Sequence, residues 1–305
     1  MASLKELRGR ITSVKSTGKI TNAMKMVAAS KLRHAQTKTE AAQPYAQTMR
    51  TMMGELANGM AGADPATLPR LLVGTGNDNV HLLIVITSDR GLVGGFNANL
   101  MRMVHAHVNA LTAAGKTVKF VPVGRKGAAV FEREFPGAVV KTYDSSGGKE
   151  GITFDLAKRI AHHVTDMLNK GEIDAATLFS SQFVNAMTQT PTETPLVPLP
   201  RAENDNRNSA ASGNEGEGES FYDFEPGEQE LLSELLPRNL EVQIYSALLD
   251  SAAGEQGARM TAMDNASRNA NKFIDDLSLT YNRTRQANIT RELIEIISGA
   301  QVVGS

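Results

Sequence analysis

The chain has 305 residues, 41% of them hydrophobic and 21% charged, with a formal net charge of −1. It contains no cysteine, which removes disulfides, thiolate nucleophiles and thiolate metal sites, and no apolar run approaches the roughly 20 residues of a membrane span. The charge is uneven: residues 1–40 carry nine Lys or Arg against Glu6 and Glu40, and residues 203–230 carry nine Asp or Glu against Arg207 alone, so the two stretches face different partners or surfaces.

From Ser3 to about Leu56 the pattern is helical. Leu4, Leu7, Ile11 and Val14 set a 3-4-3 spacing that Ile20, Met24, Val27, Leu32 and Ala35 continue as a drifting stripe. Ser3 followed by Glu6 predicts a capping box, and Pro44 a kink or an end. Forty residues of helix already span about 60 Å, longer than an ordinary small domain is wide. From Val80 to about Gln182, strands alternate with helices. The strands are Val80–Thr87, Val118–Val123, Ala138–Thr142 and Ala175–Ser181; the helices are Asn97–Ala114, Gly127–Phe135 and Phe154–Asn169, the last with Thr153 as its N-cap. This alternation predicts a mostly parallel sheet with helices on its faces. Thr194–Arg201 is too Pro-rich for a central strand and belongs at an edge or in a loop. Asn204–Ser220 is acidic, Gly-rich and without apolar periodicity, which predicts a mobile loop.

After Pro226 a second helical stretch begins, interrupted near Pro237, and then runs without proline to about Ser298, roughly 90 Å. Met263, Ala266, Ala270, Phe273, Leu277, Thr280, Thr284, Ala287, Arg291 and Ile294 follow a 3-4 spacing along it, a seven-residue seam that is weakly apolar and rich in small residues. Two long helices of this kind either coat one α/β domain or pair with each other. Their length favours the second arrangement, an antiparallel coiled coil of the two chain ends with a Rossmann-like α/β domain inserted between them. The expected division is 1–58 for the first shaft helix, 75–203 for the α/β domain, 204–222 for the acidic insertion and 226–305 for the second shaft helix.

The turn after the first strand, ITSDRGLVGGFNANL (Ile86 to Leu100), sits where doubly wound proteins hold phosphate. It offers Gly91, Gly94 and Gly95 but neither a G-x-G-x-x-G fingerprint nor the Lys and Ser/Thr of a P-loop. A tight turn and close helix–strand packing explain such glycines better than a ligand does. His105 and His107 lie two apart on a helix and His162 and His163 are adjacent, so neither pair has metal-ligand spacing. Ser88 lies on no nucleophile elbow. The residues point to no catalytic group, no metal and no cofactor. The basic N-terminal stretch has the composition of a presequence, a membrane-surface helix or a nucleic-acid arm. Its helical pattern runs beyond a presequence, and it lacks interleaved aromatics. A solvated basic face is the plain alternative, and a contact with an acidic partner surface is the favoured reading. Three readings stand at this point: a non-catalytic helical interaction subunit, a nucleotide-dependent α/β enzyme, and a basic-helix membrane or nucleic-acid binder.

Three segments carry a resemblance. LKELRGRITSVKSTGKITNAMKMVAASKLRHAQ (Leu4 to Gln36), ITSDRGLVGGFN (Ile86 to Asn97) and GARMTAMDNASRNANKFIDDLSLTYNRTRQANITRELIEIISGA (Gly257 to Ala300) resemble, in order, the opening helix, the central signature and the closing helix of the γ subunit of rotary ATP synthase. Val93 stands where many relatives have Cys, and the acidic Asn204–Ser220 stretch looks like an insertion.

The resemblance implies a non-catalytic rotor shaft that couples proton translocation to ATP synthesis and bears on the regulation of ATPase activity and proton flow. Its partners would be three α and three β subunits around the coil, with ε and the membrane c-ring at the α/β foot; no nucleic acid is implied. Residue roles carry over where motifs match. Met24 and Lys25 correspond to the contact with an acidic lever of β, Arg285 and Gln286 to a polar pair that catches a β-subunit loop, and Arg268 to the same coupling region. Because the matching helix begins at Leu4 with no visible presequence, the expected location is the cytoplasmic face of a bacterial inner membrane, in preference to a mature mitochondrial form.

Overall fold

The computed structural model describes residues 3–59, 69–145, 151–199 and 228–303; the expected acidic insertion, 204–222, lies outside them. The elements in order are α1 (Leu4–Gly59), α2 (Arg70–Val73), β1 (Val80–Ile86), α3 (Phe96–Ala113), β2 (Thr117–Val123), α4 (Arg125–Glu134), α5 (Phe154–Asn169), β3 (Ala175–Phe183), β4 (Gln189–Val197) and α6 (Glu228–Val303). The chain divides into two compact units, Met1–Ser30 with Arg259–Ser305, and Lys31–Ala258. The expected boundaries at 58 and 226 followed secondary structure, whereas these units divide within the two long helices.

In the first unit α1 and α6 run antiparallel. Arg8 donates to the Tyr281 hydroxyl at 2.9 Å, Thr21 bonds Ser267 at 2.7 Å, and Lys25 donates to Asp264 at 2.6 Å. The residue numbers fall along α6 as they rise along α1. Ser3 caps α1 by accepting the Glu6 N–H at 3.1 Å, while the Glu6 carboxylate pairs with Arg10 instead of closing the box. The inward residues of α1 are Leu4, Leu7, Ile11, Val14, Gly18, Thr21, Lys25 and Ala28, an unbroken 3-4 spacing. Those of α6 are Met263, Ser267, Ala270, Ile274, Leu277, Tyr281, Thr284 and Asn288.

The seam therefore differs from the expected one. Ile20 and Val27 are 60% and 56% exposed, and Phe273 is 61% exposed while Ile274 faces inward. A straight α-helix drifts about 20° per heptad, so a stripe followed by apolarity alone slides off a seven-residue seam. From Gly18 to Ala28 small and polar residues hold the seam, while Leu4, Leu7, Ile11 and Val14 make its first turns. A Cβ on Gly18 would lie 3.4 Å from the Ala270 Cβ, ordinary van der Waals contact, so the two helices approach closely at this layer.

The second unit is built on a four-stranded sheet of order β2-β1-β3-β4. β1 pairs in parallel with β2 and β3, and β4 runs antiparallel at the edge. Pro191 and Pro195 fall on that outermost strand, where missing backbone donors do least harm. Being central, β1 is covered on both faces, which explains its continuous apolar run. Leu82, Ile84 and Ile86 pack in one cluster with Ile160 and Val164 of α5, Met49 and Met53 of α1, and Leu236, Leu240, Ile244 and Leu248 of α6. Leu83 and Val85 pack on the other face with Leu100, Val104, Phe120, Phe131 and Phe179.

The two prolines do not end their helices: α1 continues through Pro44 and α6 through Pro237. At Pro237 the reason is packing, since Leu236 and Leu240 on either side are almost fully buried and outweigh one lost backbone bond. The expected strand at Ala138–Thr142 is reduced to isolated bridges of Val139 with Phe120 and Tyr143 with Val123. Thr153 precedes α5 with extended backbone but makes no side-chain cap bond.

Asp174, just before β3, anchors the start of β1. Its buried carboxylate accepts the Thr75 hydroxyl at 2.5 Å and the N–H groups of Asn79 at 2.9 Å and Val80 at 3.0 Å. These bonds, led by Thr75, hold its pKa below the usual carboxylate value. Asp174→Asn is expected to cost about 1.5–3 kcal/mol at neutral pH. A pKa depressed in the folded state gives stability that is present above the unfolded value and lost as pH falls through the folded one. The gap between wild type and variant in urea unfolding should therefore shrink on going from neutral pH to about pH 3. An undiminished gap would show that the charge is not what the carboxylate contributes.

Candidate functional site

The crevice between the carboxyl ends of β1 and β2, facing the first turn of α4, is a natural phosphate site in a sheet of this kind. The protein fills it with its own groups. The Thr87 hydroxyl accepts the Gly127 N–H at 3.0 Å, the Ser88 carbonyl accepts Lys126 N–H at 3.1 Å, and the Asp89 carboxylate accepts the N–H of Arg125 at 3.0 Å and of Ser145 at 3.4 Å. The first turn of α4, the natural anion cradle, is thus capped by this chain's own carboxylate. Asn97 closes the other side, donating to the Ser88 hydroxyl at 2.7 Å and accepting the Ser88 N–H at 3.1 Å.

The glycine-rich turn serves packing. Leu92 and Gly94 take left-handed backbone, with φ of 64° and 56°. Val93 and Phe96 bury against Ala258 of α6. α6 approaches closely at two glycines: a Cβ on Gly254 would meet Phe96 at 3.1 Å, and one on Gly257 would meet the Ala186 backbone at 3.2 Å. Among the described residues no group of His, Asp and Glu is placed to hold a metal ion. His105 and His107 turn to different carboxylates, Glu134 and Glu193.

The coil carries the remaining candidates, in two places. Lys25 of α1 and Arg268 of α6 both bond Asp264, Lys25 at 2.6 Å, and Met24 is half-buried on the same turn. The hydrogen bonds from Lys25 first and Arg268 second hold the Asp264 pKa below the usual value. Asp264 escaped the sequence reading because an acid beside a seam read for apolar residues gives no signal, and its partner on α1 is 239 residues away. Arg285 and Gln286 stand apart, about 25 Å along α6 from Arg268 and level with the start of α1. Both are exposed, and neither side chain has an intrachain bond among the described residues.

Beyond that level α6 continues without a paired helix among the described residues. Ile289, Leu293, Ile294, Ile296 and Ile297 on it are 48–67% exposed. Five large aliphatic side chains on one unpaired helix end form the kind of apolar surface that marks an interface. No helix among the described residues is long and apolar enough to cross a membrane.

Comparison with known proteins identifies the family. A family profile described as ATP synthase matches residues 3–303. The ATP synthase gamma chain of Gluconobacter oxydans is 61% identical over 303 residues, covering 99% of this chain and 100% of that one. That of Parvibaculum lavamentivorans is 51% identical with the same coverage. The central stalk and c-ring structure of Tetrahymena thermophila mitochondrial ATP synthase contains a chain 30% identical, with a TM-score of 0.57, matched over 81% of this chain and 99% of that one. A chain of the Euglena gracilis mitochondrial ATP synthase OSCP/F1/c-ring structure shares the fold, with a TM-score of 0.66 at 19% identity over 98% of this chain and 94% of that one. With the profile spanning the described termini and relatives above half identity end to end, the chain belongs to the γ-subunit family of ATP synthase, the non-catalytic γ chains of a multisubunit enzyme.

Proposed function

We propose that this chain is the central rotor shaft of a bacterial ATP synthase, transmitting torque between a proton-driven c-ring and a catalytic ring of α and β subunits. The observation that carries the proposal is the bare apolar end of α6, with Ile289, Leu293, Ile294, Ile296 and Ile297 exposed past the paired coil. Such a helix end buries its side chains only inside a partner. The filled crevice at β1 supports the division of labour, since nucleotide chemistry then belongs to the surrounding subunits. The sheet unit is the foot that meets ε and the c-ring, and the complex lies peripherally on the cytoplasmic face of the inner membrane.

Torque coupling is assigned to two patches on the coil. Met24, Lys25 and Arg268 form the lower one and face an acidic element of β; Arg285 and Gln286 form the upper one and engage a β-subunit loop. A coil whose seam mixes aliphatic residues with small and polar ones such as Gly18, Thr21, Ser267 and Ala270 suits a shaft whose outer faces slide, because torque then passes through a few polar contacts and not through deep interdigitation with the housing.

The test is to isolate the native complex from source membranes through this chain and weigh it by native mass spectrometry. A mass fitting three α, three β and one copy of this chain, with ATPase activity, is expected. A monomer or homodimer recovered under conditions that preserve complexes would overturn the rotor assignment. A companion expectation concerns the crevice: saturable ATP binding by the purified chain alone should be absent, and finding it would restore the enzyme reading.

A further inference from the structure

We infer that Asp264 is a positioning residue for torque coupling, the group that gathers Lys25 of one helix and Arg268 of the other into a single cationic patch. The inference rests on the rotor reading and deepens it. Lys25 occupies a seam position on α1, yet its ammonium leaves the seam to reach Asp264 Oδ1 at 2.6 Å. Arg268 lies one turn beyond Asp264 on α6 and bonds its other oxygen, Oδ2. Among the described residues Asp264 is the only side chain either cation bonds. The exposure runs outward in order, with side chains 22% exposed for Asp264, 40% for Lys25 and 75% for Arg268.

Lysine and arginine are long and free to sample many rotamers, and two like charges left alone move apart. One carboxylate with two acceptor oxygens removes both tendencies. It fixes the distance between the cations and leaves one net positive charge facing outward, the arrangement that meets an acidic partner surface in one orientation of the shaft. The neighbouring layers are neutral and small: Thr21 with Ser267 at 2.7 Å, then Gly18 against Ala270. They hold the helices close without competing for either cation. The remaining acid of α1 in this unit, Glu6, is engaged by Arg10. Asp275 and Asp276 lie about 16–18 Å further along α6.

A merely structural ion pair would stabilise the coil and do nothing else, and a charge swap separates the two roles. The assembled membrane enzyme is prepared with Asp264→Asn and with the pair Lys25→Asp and Asp264→Lys. ATP-driven proton pumping per ATP hydrolysed is read beside the melting temperature. Positioning predicts that Asp264→Asn lowers the pumping ratio by about twofold to fivefold, the range for an exposed charge pair, at temperatures where the enzyme is fully folded. The swapped pair restores attraction across the seam, so it recovers the melting temperature; it also moves the lysine cation from α1 to α6, so it leaves the pumping ratio low. A wild-type ratio in Asp264→Asn, or a ratio restored by the swap, overturns the positioning role. Either failure leaves the rotor reading standing as long as the variants still assemble with α and β subunits and hydrolyse ATP; loss of co-assembly in the wild type is what would count against the rotor.

Discussion

Gly124→Ala is expected to unfold most of the sheet unit's stability margin. Gly124 joins β2 to α4 with φ of 111°, a conformation that L side chains rarely adopt. A Cβ there would lie 2.2 Å from the Thr87 carbonyl oxygen and 2.7 Å from its hydroxyl. The backbone strain alone is worth about 1–3 kcal/mol, and the clash is with main chain that has nowhere to go. Thr87 is the same residue whose hydroxyl accepts the Gly127 N–H, so relieving the clash also opens the first turn of α4. A combined loss above about 4 kcal/mol is exceptional for one methyl group and a large share of a typical total of about 5–15 kcal/mol. Thermal denaturation of the purified full chain measures it directly. Gly137→Ala is the control, because Gly137 also has positive φ, 81°, but nothing within 4 Å of its added Cβ; it should cost only about 1 kcal/mol. If Gly124→Ala melts with Gly137→Ala, the crevice at β1 has slack, and the chain does not fill its own phosphate site.

The same crevice shows what local sequence can disclose. Phe154–Asn169 was legible to the residue, because a wide apolar stripe at helical spacing is bounded by Thr153 and a Gly171 turn. β1 was equally legible, since a strand buried on both faces needs an uninterrupted run such as VHLLIVI. The missing phosphate fingerprint argued against a nucleotide site, but the occupant, Asp89 bonded to backbone donors 36 and 56 residues away, had no local mark. The coil was legible in kind and not in register. Apolar Ile20, Val27 and Phe273 drew the stripe outward, whereas Gly18, Thr21, Ser267 and Asp264 set the pairing. A seam specified by small and polar residues is written in pairs across the two chain ends, and neither helix reveals it alone. Among the coupling candidates, Lys25 and Arg268 are brought together by Asp264, while Arg285 and Gln286 remain separate along α6.

Arg285→Ala is expected to slow steady-state ATP hydrolysis by the assembled enzyme by roughly 10- to 150-fold. The range is what a charge-assisted hydrogen bond of about 1.5–3 kcal/mol delivers when the bond is made at one rotary dwell and broken at the next. Arg285 suits that duty because its guanidinium is exposed and has no intrachain partner among the described residues, so removing it takes nothing from the coil. Melting temperature and subunit stoichiometry should therefore match wild type, which separates a coupling defect from a folding one. Arg285→Lys keeps the charge but loses the planar fork that binds two acceptors at once, so an intermediate rate is expected. Arg283→Ala supplies the contrast: Arg283 is also exposed, but two residues along a helix turn the side chain by about 200° and away from the Arg285 face. A single-face contact predicts that Arg283→Ala turns over near the wild-type rate. If Arg283→Ala and Arg285→Ala fall equally, the coil senses only overall charge, and a rate within twofold of wild type for Arg285→Ala would move the upper coupling contact to the aliphatic end of α6, where Ile289 and Leu293 would be the residues to change next.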